Sequence, residues 1–521
     1  MRKTGIGILC AAMLFSGCGS GDDGAGNLAA PPQNNAPPGN NAPPGGNPPG
    51  NNLDAELRML IAEQNLTGDP SLGRTLESID EPLAQLGKKL FFSKSLGGEF
   101  DSACVTCHHP TLGGADGLSL SVGVDALDAD LLGPGRVTLA GTPNVPRNAP
   151  TTFNVGLWDT ALFFDSRVES LGREPGQNGA ASGISTPDSG TNVIDGGAGP
   201  NLTVAQARFP VTSVEEMRGE FELGESNEVL RNHLAARIGG YGVGAGEILD
   251  NGWLPEFQTA FASAEAAETL ITFDNIVLAL AAYERSQVFV DTPWRAYVQG
   301  DNDAIGDAAK QGAILFFTST NEGGASCFEC HSGDLFTDGE HHAIGAPQFG
   351  PGKGNPNDND FGRENITGNP NERFRFRTPS LLNITETAPY MHTGAYETLA
   401  EVMQHYDNPN GTVGDFFDDG GVCELEQFED VLNCESLYPD ALQNSIAALD
   451  KVDEEQDQND PQALPNININ NNERNQLVQF METLTDPCVT DRACLAPWIP
   501  LPEEAPDENQ VNAFDVNGNL L

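Results

Sequence analysis

Apolar side chains recur at helical spacing in six stretches of this chain, with long polar connections between them. In "DAELRMLIAEQNL" (54–66) Leu57, Leu60 and Ile61 fall on one face. In "EPLAQLGKKLFF" (81–92) Leu83, Leu86 and Leu90 do the same. "TFDNIVLALAAYERSQV" (272–288) is apolar over most of its circumference, and Thr272 is placed to cap it. "NDAIGDAAKQGAILFF" (302–317), "ETLAEVMQHYD" (397–407) and "NNNERNQLVQFMETL" (470–484) complete the set. Along 397–407, Leu399, Val402, Met403 and Tyr406 stand at positions i, i+3, i+4 and i+7 of one face, and His405 falls off it. Gly-rich connections cover 174–201 and 343–371, and the acidic, Asn-rich stretch 411–470 reads as an insertion loop. The pattern predicts a mainly α fold with long Gly-rich loops.

A coarse repeat runs through the pattern. "LGKKLFF" precedes "SACVTCHHP" (102–110), and "QGAILFF" precedes "SCFECHSG" (326–333). Both following stretches fit Cys-x-x-Cys-His, the attachment signature of c-type haem. Two thiols bond to the vinyl groups on one haem edge, and the next residue then lies beneath the ring with its imidazole on the iron. A zinc site would need two further Cys or His at ligand spacing, and neither motif has them close by. A thioredoxin-like dithiol would need a βαβ setting and no second copy. The predicted cofactors are therefore two haems c, on Cys104, Cys107 and His108 and on Cys327, Cys330 and His331. His109 lies about 100° round a helix from His108 and cannot reach the same iron, so it is structural or solvent-facing. Two tandem cytochrome c-like domains are the simplest account, one over 53–298 and one over 299–498, with the insertion in the second and a tail at 499–521.

The ends of the chain add a location. Residues 1–17 carry Arg2 and Lys3, an apolar run, and then Cys18, in the manner of a bacterial lipoprotein signal. Residues 18–52 are Gly, Asn, Pro and Ala and read as a tether. The expectation is an exported protein of the periplasm or cell surface, held to the outer membrane only through a lipidated Cys18. Cys423, Cys434, Cys488 and Cys494 remain beside the haem cysteines, and local pairing predicts Cys423–Cys434 and Cys488–Cys494. A net charge of −49 excludes nucleic acid as a partner. It keeps an exposed surface soluble and suits a basic electron donor.

The order of the stretches "LGKKLFF", "CVTCHHP", "RNAPTTFN", "FFDSRVESL", "FPVTSVEEM", "ITFDNIVLALAAYERS", "CFECHSGDLFTD" and "RFRTPSLLNITETAPYMHTGAYETLAEVMQHY" resembles the bacterial dihaem cytochrome c peroxidase/MauG family, from about 80 to 487. The resemblance implies an N-terminal haem that meets hydrogen peroxide and a C-terminal haem that relays electrons from a small c-type cytochrome or copper protein. Many members carry a histidine sixteen residues past the first proximal one, closing that iron. Here the position is Val124, so the resemblance implies an iron open to peroxide. The family's acid–base glutamate falls on Glu216, six residues after Pro210, with Glu215 as the neighbouring alternative. A carboxyl group above the iron takes a proton from one peroxide oxygen and delivers it to the other. The second iron's outer ligand, methionine or in the MauG type tyrosine, falls on Tyr406, with Met403 and Met391 as alternatives. His392 matches a histidine near the second haem, and Asn148, Thr387 and Pro389 match the oxygen ligands of a calcium ion between the haems. Two positions depart from the family. Phe164 stands where a tryptophan is frequent between the haems, with Trp158 close by, and Ala325 stands where MauG has the tryptophan that relays oxidation to its protein substrate. Three functions follow: a peroxidase, a MauG-like oxidase of a protein or organic substrate, and a dihaem electron carrier without peroxide chemistry. Self-association as a homodimer is open.

Overall fold

The computed structural model describes residues 53–521, so the signal (1–17) and the tether (18–52) lie outside the described residues. Five of the six predicted helices appear within two or three residues of the expected bounds, at Leu53–Glu63, Pro82–Phe91, Phe273–Ser286, Leu399–Asp407 and Asn471–Glu482. The sixth begins later than expected, at Asp307 instead of 302, because Gly306 is extended at its N-cap. Capping explains the firm starts. Thr272 accepts from the Asn275 amide, and Thr398 and Glu401 cap each other's backbone reciprocally.

Two apolar cores organise these helices. In the first, Leu86, Leu90 and Phe91 pack against Ile276, Leu280 and Tyr283. In the second, Ala313, Phe316 and Phe317 pack against Leu477, Phe480 and Met481. The repeat seen in the sequence is thus a repeat of packing, in which the helix before each Cys-x-x-Cys-His motif crosses a long partner helix. A glycine sits at each crossing. A Cβ on Gly87 would lie 1.9 Å from the Ala279 carbonyl oxygen, and one on Gly312 would lie 1.9 Å from that of Gln476. Neither position has room for a side chain, and the crossing distance depends on that.

The packing departs from a division at 298/299 in two places. Leu57 and Ile61 of the first helix belong to the second core, where Lys310 pairs with Asp54 at 2.8 Å and Arg58 donates to the Val298 carbonyl at 3.0 Å. The tail returns to the first core through Val511 and Ala513, and the Trp253 indole donates to Asp507 at 2.6 Å. The first described helix and the tail thus each pack on the half remote from them in sequence. Nor is 411–470 a loop: helices Pro409–Asp418 and Ala441–Gln458 lie within it, with Val413, Ala448, Leu449 and Val452 buried. High acidity masked an amphipathic pattern there, because most of the charges lie on the outer faces, with Glu455 buried against Arg375 as the exception. Both expected disulfides are present, Cys423–Cys434 and Cys488–Cys494.

Strand content among the described residues is small, and its apolar residues lie in clusters of their own, Leu162, Val168 and Ile184 in one and Ala343 in another. Ala161–Leu162, Val168–Ser170 and Ile184–Ser185 form one antiparallel sheet. His341–Ala343 pairs with Arg375–Arg377 in the other, with His341 opposite Arg377. The Arg377 amide also donates to the Phe164 carbonyl at 2.8 Å, which ties the second half to the first at the point where the sites meet.

Replacing Gly87 or Gly312 by alanine forces each helix pair apart. Each substitution is expected to lower stability by about 1–3 kcal/mol, read from denaturant unfolding of the haem-loaded protein. Alanine at Gly414, inside helix Pro409–Asp418 with nothing within 4 Å of a Cβ, serves as the comparison that is not destabilised.

Candidate functional site

Cys104–Cys107 forms a single helical turn, closed by the Thr106 hydroxyl accepting from the Ala103 amide at 3.0 Å. The turn brings both thiols to one side, and burial keeps them protonated. The four motif cysteines are unpaired, whereas the other four described cysteines form disulfides. His108 Nδ1 lies 3.1 Å from the Gly114 carbonyl, and His331 Nδ1 lies 3.1 Å from that of Phe336. A carbonyl only accepts, so each Nδ1 carries the proton and each Nε2 keeps its lone pair. Burial lowers both imidazoles to about 4, so they remain neutral, as metal ligation requires. His109 is not solvent-facing. It is buried edge-on against Phe92, its Nδ1 accepts from the Thr111 amide, and its role is packing.

The first motif opens on a cavity with an empty volume of about 1110 Å³. His108 is the one histidine among the described residues lining it. Glu216 lines it too, from a short π-helical turn, Val214–Arg218, whose start is capped by Ser213. Such turns widen the helix by one residue and re-aim a side chain. Segment 120–124 holds the turn from behind: the Val124 amide donates to the Glu215 carbonyl at 3.2 Å, and a Cβ on Gly123 would sit 2.2 Å from that same oxygen. Val124 is buried and lies outside the cavity lining. Glu215, the alternative acid, is exposed and bonded to the Ser213 hydroxyl at 3.0 Å. Burial raises the Glu216 carboxyl, and Arg167, 3.9 Å away, and Lys353 hold it back. Glu284, also in the wall, is raised to about 8 by burial.

The second motif opens on a cavity of about 1830 Å³. Tyr406, Met403 and Met391 all line it, as does His392. Burial raises the Tyr406 phenol, so its phenolate forms only against a cation. His392 stacks on Phe376 with ring centres 3.8 Å apart, and its Nε2 accepts from Gln348 at 3.1 Å. His405, off the apolar face, is fully buried all the same, held between the Tyr396 hydroxyl and the Ile344 carbonyl. The cavities share a wall made of residues 148–151, Trp158, Phe164 and Arg377. The Arg377 guanidinium lies 3.8 Å over the Trp158 ring.

Residues 81–303 match the family model for di-haem cytochrome c peroxidase. The chain is 30% identical over 356 residues to the methylamine utilization protein MauG of Methylorubrum extorquens, covering 66% of this chain and 76% of that one. It is 27% identical over 328 residues to the cytochrome c551 peroxidase of Pseudomonas aeruginosa, covering 63% and 72%. The chain belongs to the di-haem cytochrome c peroxidase/MauG family. Its fold is also that of a MauG-like protein associated with microbial copper homeostasis (TM-score 0.50, 21% identity, 81% of this chain and 95% of that one). The diheme peroxidase BthA of Burkholderia thailandensis gives the same TM-score, 0.50, at 20% identity over 86% and 93%.

Membership of this family implies two c-type haems and oxidoreductase chemistry of the peroxidase kind. The residues fit: in each cavity two free thiols and a neutral imidazole with an uncommitted Nε2 converge. A cluster of Cys330, Asp338 and His342 has the spacing of a metal site, but Cys330 belongs to the haem motif. Three polar residues of the first cavity escaped the sequence reading. Arg167 stood inside a stretch already matched to the family, Glu284 inside an apolar helix, and Lys353 in a Gly-rich loop without any pattern.

Replacing both Cys104 and Cys107 by serine is expected to halve the covalent haem per chain, and the same change at Cys327 and Cys330 to remove the other half. A pyridine haemochrome assay against protein concentration reads both.

Proposed function

We propose that this chain reduces hydrogen peroxide to water in the first cavity, with electrons arriving through the second from a small c-type cytochrome or copper protein. The observation that carries this reading is a carboxyl group, Glu216, facing the same cavity as a single neutral histidine. Haem bound there supplies a metal site for a peroxide oxygen and a route for electrons. His108 offers Nε2 to hold it from one side, with the Gly114 carbonyl fixing the ring. Glu216 accepts the proton of one peroxide oxygen and returns it to the other, so that the departing oxygen leaves as water. Arg167 and Lys353 work against the rise that burial causes and so favour the ionised form that accepts the proton. The net change is hydrogen peroxide plus two electrons and two protons to two waters.

In the second cavity Tyr406 is the proposed outer ligand, with Met403 the alternative. A phenolate favours oxidised iron, whereas a thioether favours reduced iron. Tyr406 is also what supports the second reading, a MauG-like oxidase acting on a protein or organic substrate. An electron carrier without peroxide chemistry would need the first iron closed, and no second histidine lines that cavity among the described residues. A calcium ion held by Asn148, Thr387 and Pro389, which all line the second cavity, is part of the proposal. The Asn148 amide nitrogen is used by the Leu118 carbonyl at 2.8 Å, which leaves Oδ1 available, and the Thr387 and Pro389 carbonyls accept no hydrogen bond among the described residues. Export and a lipid anchor at Cys18 remain part of the proposal. No helix among the described residues is long and apolar enough to cross a membrane.

Because burial raises the Glu216 pKa, kcat/KM for peroxide is expected to fall on the acid side through a value above the ordinary carboxylate range of about 4.3. Glu216→Gln removes that limb and lowers kcat by about 10²–10⁴-fold, while Glu215→Gln keeps kcat and moves the limb to lower pH, because the Glu215 charge raises the Glu216 pKa. Arg167→Met withdraws a cation that lowers the pKa, so the limb moves to higher pH. Steady-state peroxide reduction with a reduced cytochrome donor across pH checks all three. Tyr406→Phe is expected to change the low-spin EPR signal of the second haem and leave the first haem's signal as it was. An unchanged second signal moves the assignment to Met403.

A further inference from the structure

Tyr396 and His405 form a buried pair that none of the roles above uses. Tyr396 is 3% exposed and His405 0%. The Tyr396 hydroxyl lies 2.9 Å from His405 Nδ1, and His405 Nε2 lies 2.7 Å from the Ile344 carbonyl. The carbonyl has no proton to give, so Nε2 carries one. Nδ1 of the neutral ring is then bare, and the phenol donates to it. A phenol hydrogen-bonded to a neutral imidazole can lose an electron and pass its proton along the bond, leaving no net charge on its own ring. A phenol bonded to a carbonyl has no such outlet.

Position completes the case. The His405 ring stands 6.1 Å from that of Tyr406, in the second cavity's wall, and Tyr396 lies 5.4 Å beyond His405. The Tyr396 carbonyl also accepts from the amide of Tyr390, another residue of that wall, at 2.7 Å. Of the chain's seven tyrosines, Tyr241 and Tyr283 donate to carbonyls. Tyr297 donates to the Asp54 carboxylate, but Arg58 and Lys310 lie over its ring at 4.4 and 5.4 Å and oppose loss of an electron from it. Tyr396 alone among them joins a neutral base to a place beside the second cavity.

We propose that Tyr396 is a redox-active side chain that gives one electron to the oxidised haem of the second cavity. The phenol's proton moves to His405 Nδ1, leaving a neutral phenoxyl and an imidazolium. The electron lowers that haem by one oxidation equivalent. Hydrogen peroxide is the terminal oxidant, and Tyr396 supplies one of the two electrons it takes when no external donor is at hand. This inference rests on the reading that peroxide is reduced here and that haem occupies the second cavity. From Tyr396 the aromatic contacts continue to Phe416 (6.4 Å), Phe349 (6.2 Å) and Tyr438 (6.1 Å), away from the cavity.

The test is freeze-quench EPR of the full haem-loaded chain, mixed with peroxide without donor. A second set of samples is oxidised by flash-quench with a ruthenium sensitiser, which bypasses peroxide. The expected result is an organic radical signal that narrows on ring-deuterated tyrosine labelling. It is lost in Tyr396→Phe, retained in Tyr297→Phe, and altered in g-anisotropy in His405→Gln. The haem optical spectrum of Tyr396→Phe should match that of the unsubstituted protein, which separates a redox role from a packing one. A tyrosyl signal of unchanged size in Tyr396→Phe, or no tyrosyl signal by either route, overturns the proposal. If peroxide is not consumed but flash-quench yields the Tyr396 signal, the peroxidase reading fails together with the role of peroxide here, and the redox activity of Tyr396 towards the second haem stands.

Discussion

The Arg147 guanidinium is buried between two carboxylates, gripping Asp360 through two bonds of 2.6 and 2.9 Å and Asp165 through one of 2.6 Å. Arg147 and Asp165 belong to the first half of the chain and Asp360 to the second, so this ion triad joins the halves where the two cavities meet. Burial opposes the charged carboxylates, but Arg147 holds both below the usual carboxylate range. Removing one member of such a cluster strands the rest as uncompensated charge, at a typical cost of about 3–5 kcal/mol. The neighbouring residues inherit that rigidity. Asn148 lies in both cavity walls, and Arg167, which also pairs with Asp165 at 3.2 Å, reaches towards Glu216.

Each half repeats one device and then diverges. A helix with a glycine at its crossing leads into a short turn with two thiols, and the following histidine is locked by a carbonyl five or six residues on. What differs is the segment brought to the opposite side. In the first half a π-helical turn, wedged by Gly123, brings a carboxyl group. In the second half an amphipathic helix brings Met403 and Tyr406. The same anchoring chemistry thus meets a proton-handling group in one cavity and ligating groups in the other. On the proposed reading, that contrast would make the two haems unequal.

The chain's acidity is selective. Many of its carboxylates lie on the surface, and four of the buried ones, Asp165, Glu169, Asp360 and Glu455, are paired with arginine. Glu216, with Arg167 at 3.9 Å, and the buried Glu284 face the first cavity, and both are raised by burial. A group of this kind is out of place in a structural ion pair and suited to proton transfer.

Local features were legible in the chain alone: five of the six helices within a few residues, the two Cys-x-x-Cys-His motifs, and both disulfides. These depend on spacing along a short stretch, which periodicity and residue chemistry report directly. Family likeness had to add Glu216, because a glutamate in a chain this acidic carries no signal of its own. Only the tertiary structure decided on which half the first described helix and the tail pack, since Leu57 and Ile61 are an equally good apolar face for either core. Likewise it placed Lys353 and Glu284 in the first cavity, buried His405 off its helix's apolar face, and folded 409–458 into helices. It also brought Trp158, Phe164 and Arg377 into a common wall. Those outcomes depend on contacts between residues far apart in the chain, and no pattern within a single segment encodes what will be packed against it.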